Sequence, residues 1–304
     1  MIGDLVRRVE QATPAGRDRA VDALRALAIL GVVLGHWLVT APVADSGALR
    51  VTSPLKYMPW LAPVSWLLQT MAVFFFVGGR VAVESHDRDR GAGHMRWTAA
   101  RTARLFRPVV PVLRVWSAVA VATLAAGADP GTVYALVKLV WSPMWFLVVF
   151  AALTAATPLT ARLHPVGPLA AVAAVDLVRF GLGGPSWLGW INVGTGWLVP
   201  YCLGALWARG RLGGRMTGWA LLLGGAAATA GLVLWAGYPA SMVGVPGAPV
   251  SNQAPPTLAA VTFGLAQCGA ALAVCWAAFH GYERRRERTP REAPAPSQAA
   301  RESR

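Results

Sequence analysis

The 304-residue chain is 55% apolar, has a mean hydropathy of +0.48 and carries only 14% charged residues. Soluble domains carry about 25%, so these charges are too few to wet a globular surface, which excludes a disordered chain, a coiled coil and a typical cytosolic enzyme. On a soluble protein the formal charge of +14 would suggest nucleic acid, but here the basic residues sit in blocks between apolar runs, the pattern that sets membrane topology.

In chain order, residues 1–20 are polar and predict a cytoplasmic N-terminal segment without a signal peptide. A spanning helix needs about 20 mostly apolar residues. Eight runs qualify: 23–43, 62–83, 108–127, 132–159, 167–183, 188–208, 218–238 and 257–279. The fourth carries Lys138 and Pro143, so its span is expected to begin only near Trp141. The fifth is short, with Asp176 and Arg179 three residues apart on one face, where they can neutralise each other. From Glu283 the chain is charged and rich in Pro and Ala, and is expected to be disordered. The reading is an all-α, polytopic membrane bundle of about eight helices over 21–282, followed by a cytoplasmic tail over 283–304. No period marks an internal repeat, and no strand alternation is long enough for a β-barrel.

Orientation follows from the basic blocks. With the N-terminus inside, inner segments hold Arg7, Arg8, Arg17 and Arg19, then Arg88, Arg90, Arg96, Arg101 and Arg104, then Arg162, then Arg209, Arg211 and Arg215. Outer segments hold only Arg50 and Lys56. This predicts a plasma-membrane protein with both termini cytoplasmic. Cys202, Cys268 and Cys275 lie in apolar runs without CxxC spacing and read as buried small hydrophobes. The histidines lack zinc-ligand spacing, and no metal is expected. Trp60, Trp66, Trp187, Trp190 and Trp219 fall near span ends and read as interface anchors, and the glycine pairs 78–79, 183–184 and 224–225 as close helix contacts.

Intramembrane polar groups are costly, so each is a functional candidate. His36 stands mid-way along the first run. Arg25 precedes it by eleven residues, close to three turns, so the two share a face about 16 Å apart. The functional reading is a cation near one surface and a titratable imidazole deeper in; the bland one is a packing histidine and a snorkelling anchor. Arg101, Arg104 and Arg107 are spaced by three and line one helix face. Guanidinium forks suit phosphates, although a topology signal or lipid-headgroup contact explains the spacing equally well.

Arg25-x10-His36 in a first span, followed by Arg101-x2-Arg104 after the second, resembles the membrane-bound acyltransferase family 3. Asp22-Ala-Leu-Arg-Ala-Leu-Ala-Ile, Phe74-Phe-Phe-Val-Gly-Gly79, Arg104-Leu-Phe-Arg-Pro108 and Met144-Trp-Phe-Leu147 are similar to it too, and Ser241–Gly247, Ser251-Asn252 and Pro255–Leu258 resemble an actinobacterial branch. The resemblance covers about 18–280. It implies an O-acyltransferase moving an acyl group, expected to be acetyl, from acyl-CoA to a hydroxyl of a glycan, lipid or secondary metabolite, with no permanently bound cofactor and no nucleic-acid partner. His36 would be the general base, Arg25 would steady the donor, and Arg101, Arg104 and Arg107 would hold its phosphates. Ser251, Asn252 and Tyr201 are acceptor-side candidates. Two departures stand out: eight spans where the family usually has ten, and Tyr201-Cys202 where the branch tends to carry a His-Gln pair. A transporter or flippase, and a shortened inactive family member, are the alternative readings.

Overall fold

The computed structural model describes residues 4, 8, 18–45, 48–89, 91, 93–243 and 250–288. Twelve named α-helices follow: α1 (Arg19–Val39), α2 (Ala62–Leu68), α3 (Met71–Arg88), α4 (His94–Phe106), α5 (Val109–Ala125), α6 (Pro130–Trp141), α7 (Trp145–Ala155), α8 (Thr157–Thr160), α9 (Val166–Asp176), α10 (Ile191–Ala208), α11 (Arg215–Trp235) and α12 (Leu258–Arg288). The helix α12 continues past the expected boundary at 282; residues 289–304 of the expected tail, and most of 1–17, lie outside the described residues.

Six stretches are long and apolar enough to cross a membrane: Arg19–Val39, Pro59–Arg88, His94–Ala125, Pro130–Ala155, Arg215–Trp235 and Leu258–His280. They correspond to six of the eight expected runs. The fifth run forms α9, eleven residues long, widened to a π-helical turn over Leu177–Gly181. The sixth forms α10, whose buried residues include Asn192, Trp197 and the whole stretch from Val199 to Leu206. A helix wrapped by other helices has little surface in lipid, so α10 needs less hydropathy than its neighbours. The start of α1, α3 and the C-terminal half of α12 come together at one end of the bundle, where Asp18, Arg80 and Cys275 neighbour one another. We call this the basic end and the opposite one the loop end.

Asp18 caps α1, accepting from Ala20 N at 3.1 Å and Val21 N at 3.2 Å, and also pairs with Arg80 of α3 at 3.0 Å. The core forms around α3. Phe75, Phe76 and Val77 are fully buried; Phe75 stacks on Trp197 (5.3 Å between centroids) and Phe76 on Trp207 (5.0 Å). Phe74 meets Phe146 and Phe150 of α7. Thus the Phe74–Gly79 and Met144–Leu147 motifs form one aromatic core across α3, α7 and α10.

Glycine lets α3 and α10 touch backbone to backbone. A Cβ on Gly79 would overlap the Tyr201 carbonyl, and one on Gly204 the Phe76 carbonyl; Gly225 meets α12 in the same way. Gly204→Ala should push α3 and α10 apart and cost about 1–3 kcal/mol. The check is a lowered unfolding midpoint in detergent, against Gly224→Ala, which faces open space and should lose nothing. Equal midpoints for the two variants would contradict the close contact.

At the loop end, Ala41–Asp45 and Ala48–Thr52 form an antiparallel hairpin, an element with no counterpart in the sequence reading. Trp60, Trp187, Trp190 and Trp219 are exposed, as interface anchors would be. Trp66 differs: it is 8% exposed and donates from Nε1 to Ala240 O at 2.7 Å, tying α2 to the 239–243 segment. Cys202 and Cys268 are buried free thiols.

Candidate active site

Pro42 restricts the residue before it to extended backbone, and α1 stops at Val39, with the Thr40 N–H bonded to His36 O. This corrects the expected depth of His36. It stands in the last turn of α1 rather than mid-way along a longer run, about 25 Å of helix rise from Arg19. The half-buried imidazole lines a cavity of about 30 Å³ with Gly35, Ser65, Gln69 and Gln253 among its walls. That is room for a water or two.

The cavity exists because the second span is broken. The chain leaves helix at Gln69, whose N–H bonds to Trp66 O, and resumes at Met71. Thr70 donates its hydroxyl to Ala28 O at 2.6 Å, which locks the break against α1. Gln267 of α12 donates to Gln69 O at 2.6 Å. The Gln69 side chain is 6% exposed, and its Nε2 has no hydrogen-bond partner among the described residues. A buried amide donor left unpaired costs about 1–3 kcal/mol, and Gln69 lines the same cavity as His36.

Arg25, Ile29, Val32 and His36 form one stripe along α1, as the helical period requires. At the basic end of the stripe, the half-buried Arg101 donates to Val81 O at 3.4 Å and lies over the Trp97 ring (5.4 Å). Trp97 is itself fixed, 4% exposed and bonded through Nε1 to Ser85 Oγ at 2.9 Å. Arg25, Arg88 and Arg104 all lie within electrostatic reach of Arg101, as does the Tyr201 hydroxyl. Arg25, Arg88 and Arg104, all exposed, thus share the basic end with Arg101. Arg88, in the last turn of α3, is the member the sequence reading missed; its only signal was its place in the inner basic block. Arg107 stands at the C-terminal cap of α4 and is exposed.

The acceptor-side candidates brace the structure instead of lining the His36 cavity. Asn252 is fully buried; its Nδ2 donates to Pro239 O (2.7 Å) and Ser241 O (2.9 Å), and its Oδ1 accepts from Thr257 (2.7 Å). Ser251 Oγ accepts from Gln253 N at 3.2 Å. Tyr201 is fully buried with its hydroxyl 3.0 Å from Thr157 Oγ1. The polar residues that share the cavity with His36 are Ser65, Gln69 and Gln253, whose signal in sequence is only that they are polar beside apolar runs.

Asp176 and Arg179 lie 3.9 Å apart, a loose pair. Asp176, 1% exposed, accepts from Asn192 Nδ2 (3.0 Å), the Tyr238 hydroxyl (3.0 Å) and Leu258 N (2.6 Å). It thus caps α12 from the end of α9. No group of three or more His, Cys, Asp or Glu among the described residues could hold a metal.

A helical bundle with several helices long and apolar enough to cross a membrane, a group of arginines at one end and an imidazole in a small polar-walled cavity toward the other defines a multi-pass membrane protein. Compared with known proteins, residues 18–280 match the acyltransferase domain of acyltransferase family 3, and the chain belongs to that family. It is an acyltransferase of the kind that transfers groups other than amino-acyl groups. No curated protein and no solved structure matches the chain.

Proposed function

We propose that the protein carries an acyl group, acetyl by expectation, from acyl-CoA to a hydroxyl of a glycan, lipid or secondary metabolite, in the plasma membrane with both termini cytoplasmic. The observation that carries this reading is the gathering of Arg25, Arg88, Arg101 and Arg104 at one end of the α1 stripe that finishes at His36. Guanidinium forks at the basic end suit the donor's pyrophosphate, and the extended pantetheine arm runs along α1 toward the imidazole. There His36 takes the proton of the acceptor hydroxyl as its oxygen attacks the thioester carbonyl. The Gln69 amide donates to the oxygen that gains charge. The C–S bond then breaks, and the imidazolium returns its proton to the departing thiolate. The His36 cavity, about 30 Å³, is too small for either substrate, so binding must shift the walls around it.

The double substitution Arg101→Lys, Arg104→Lys keeps the charge and therefore the insertion, but replaces each planar fork with a point charge. Coenzyme A affinity should fall about tenfold or more, read by calorimetry on purified protein. Unchanged affinity would reduce these residues to topology anchors.

A further inference from the structure

A second cavity, lined by arginines, opens at the basic end, between the last turns of α3, the turn after α8 and the end of α10. Its volume is about 350 Å³, within the range of small-molecule sites. Arg162, Arg209 and His86 line it, with Asp87 the one acid, and Val83 and Pro158 make apolar walls. The His86 ring is held by edge contacts with Trp97 (5.1 Å) and His94 (5.5 Å). Arg209 spends one Nη1 donor on Ala161 O, which fixes its guanidinium at the rim. Arg162 is exposed.

The cavity adjoins the arginine cluster without belonging to it. Trp97 stands between the two: the His86 ring of the cavity lies 5.1 Å from the Trp97 ring centroid and the Arg101 guanidinium 5.4 Å from it. A ligand holding one phosphate group at Arg101 is therefore close enough to His86 to place a second phosphate in this cavity. Two arginines and an imidazole suit a phosphate monoester, and the apolar walls with one carboxylate suit a sugar and base beside it. We propose that this cavity receives the 3′-phosphorylated nucleoside end of the acyl-CoA donor, with Arg162 and Arg209 on the 3′-phosphate. The proposal rests on the donor reading above.

The test compares coenzyme A with its 3′-dephospho form, by calorimetry on the full chain in phosphatidylcholine nanodiscs. Wild type should bind coenzyme A more tightly, and adenosine 3′,5′-bisphosphate should displace it. Arg162→Gln, an exposed change, should lower coenzyme A affinity about tenfold and so collapse its advantage over the dephospho form; Arg162→Lys should restore part of it. A merely structural role for Arg162 would weaken both ligands alike, which would overturn the proposal. So would equal wild-type affinities for the two ligands, which would leave the acyl-CoA reading standing. Displacement of coenzyme A by phosphatidylglycerol nanodiscs but not by the bisphosphate would assign the cavity to lipid headgroups instead. Wild type binding neither ligand would remove the donor reading and this proposal with it.

Discussion

Membranes holding His36→Ala at wild-type levels should transfer acyl groups about 10²–10⁴-fold more slowly, the range typical for loss of a general base. The substitution removes the one ring that lines the cavity while leaving a good helix former, and His36 is only half-buried, so insertion should survive. His36→Gln separates the proton-transfer role from a hydrogen-bonding one. Gln retains a polar group of similar reach but cannot take the acceptor proton, so its loss should match that of Ala. Full activity in the Gln variant would sink the general-base role. A transporter would behave differently, with partial transport in the Gln variant and no acyl product from any form. An inactive family member would yield no product even from wild type with a proven acceptor.

The second large effect is on stability. Asp176→Ala should lower stability by about 3–5 kcal/mol, the usual cost of removing one partner from a buried charged network. Three donors lose their acceptor at once: Asn192 Nδ2, the Tyr238 hydroxyl and Leu258 N. Arg179, whose buried Nε and Nη1 have no hydrogen-bond partner among the described residues, also loses its ion-pair partner. Asp176→Asn should cost less. Its amide oxygen can take the place of Oδ2 and still accept from Leu258 N and the Tyr238 hydroxyl, while its amide nitrogen replaces Oδ1 and meets Asn192, whose own amide must turn to accept. The readout is the unfolding midpoint and the monodisperse fraction in detergent. Because Asp176 does not line the His36 cavity, the Asn variant should keep its activity per folded molecule. A midpoint for Asp176→Ala equal to wild type would show that the network is not a hub.

Much of the architecture follows from local pattern. Apolar runs and basic blocks predict a multi-pass helical bundle, and six of the eight runs form helices long and apolar enough to cross. The Arg25–His36 stripe is legible because both residues sit on one helix, and the helical period alone places them. Arg101 and Arg104 share a face for the same reason. The free, buried state of Cys202 and Cys268 follows from their apolar surroundings.

Other features depend on which helices meet. Arg88 joins Arg101 because Trp97 pins α4 to the end of α3. The unpaired Gln69 amide exists only because the second span breaks there, a break held by contacts from α1 and α12. Tyr201 and Asn252 read as polar candidates in sequence, yet partners on other segments bury and satisfy them. Asp176 was read with its neighbour Arg179, but its shortest bond reaches Leu258, 82 residues away. A residue's periodicity fixes the direction of its side chain on its own helix. Its partner is set by backbone contacts such as Gly79 against Tyr201 and Gly204 against Phe76, which decide how helices dock and which no single segment encodes.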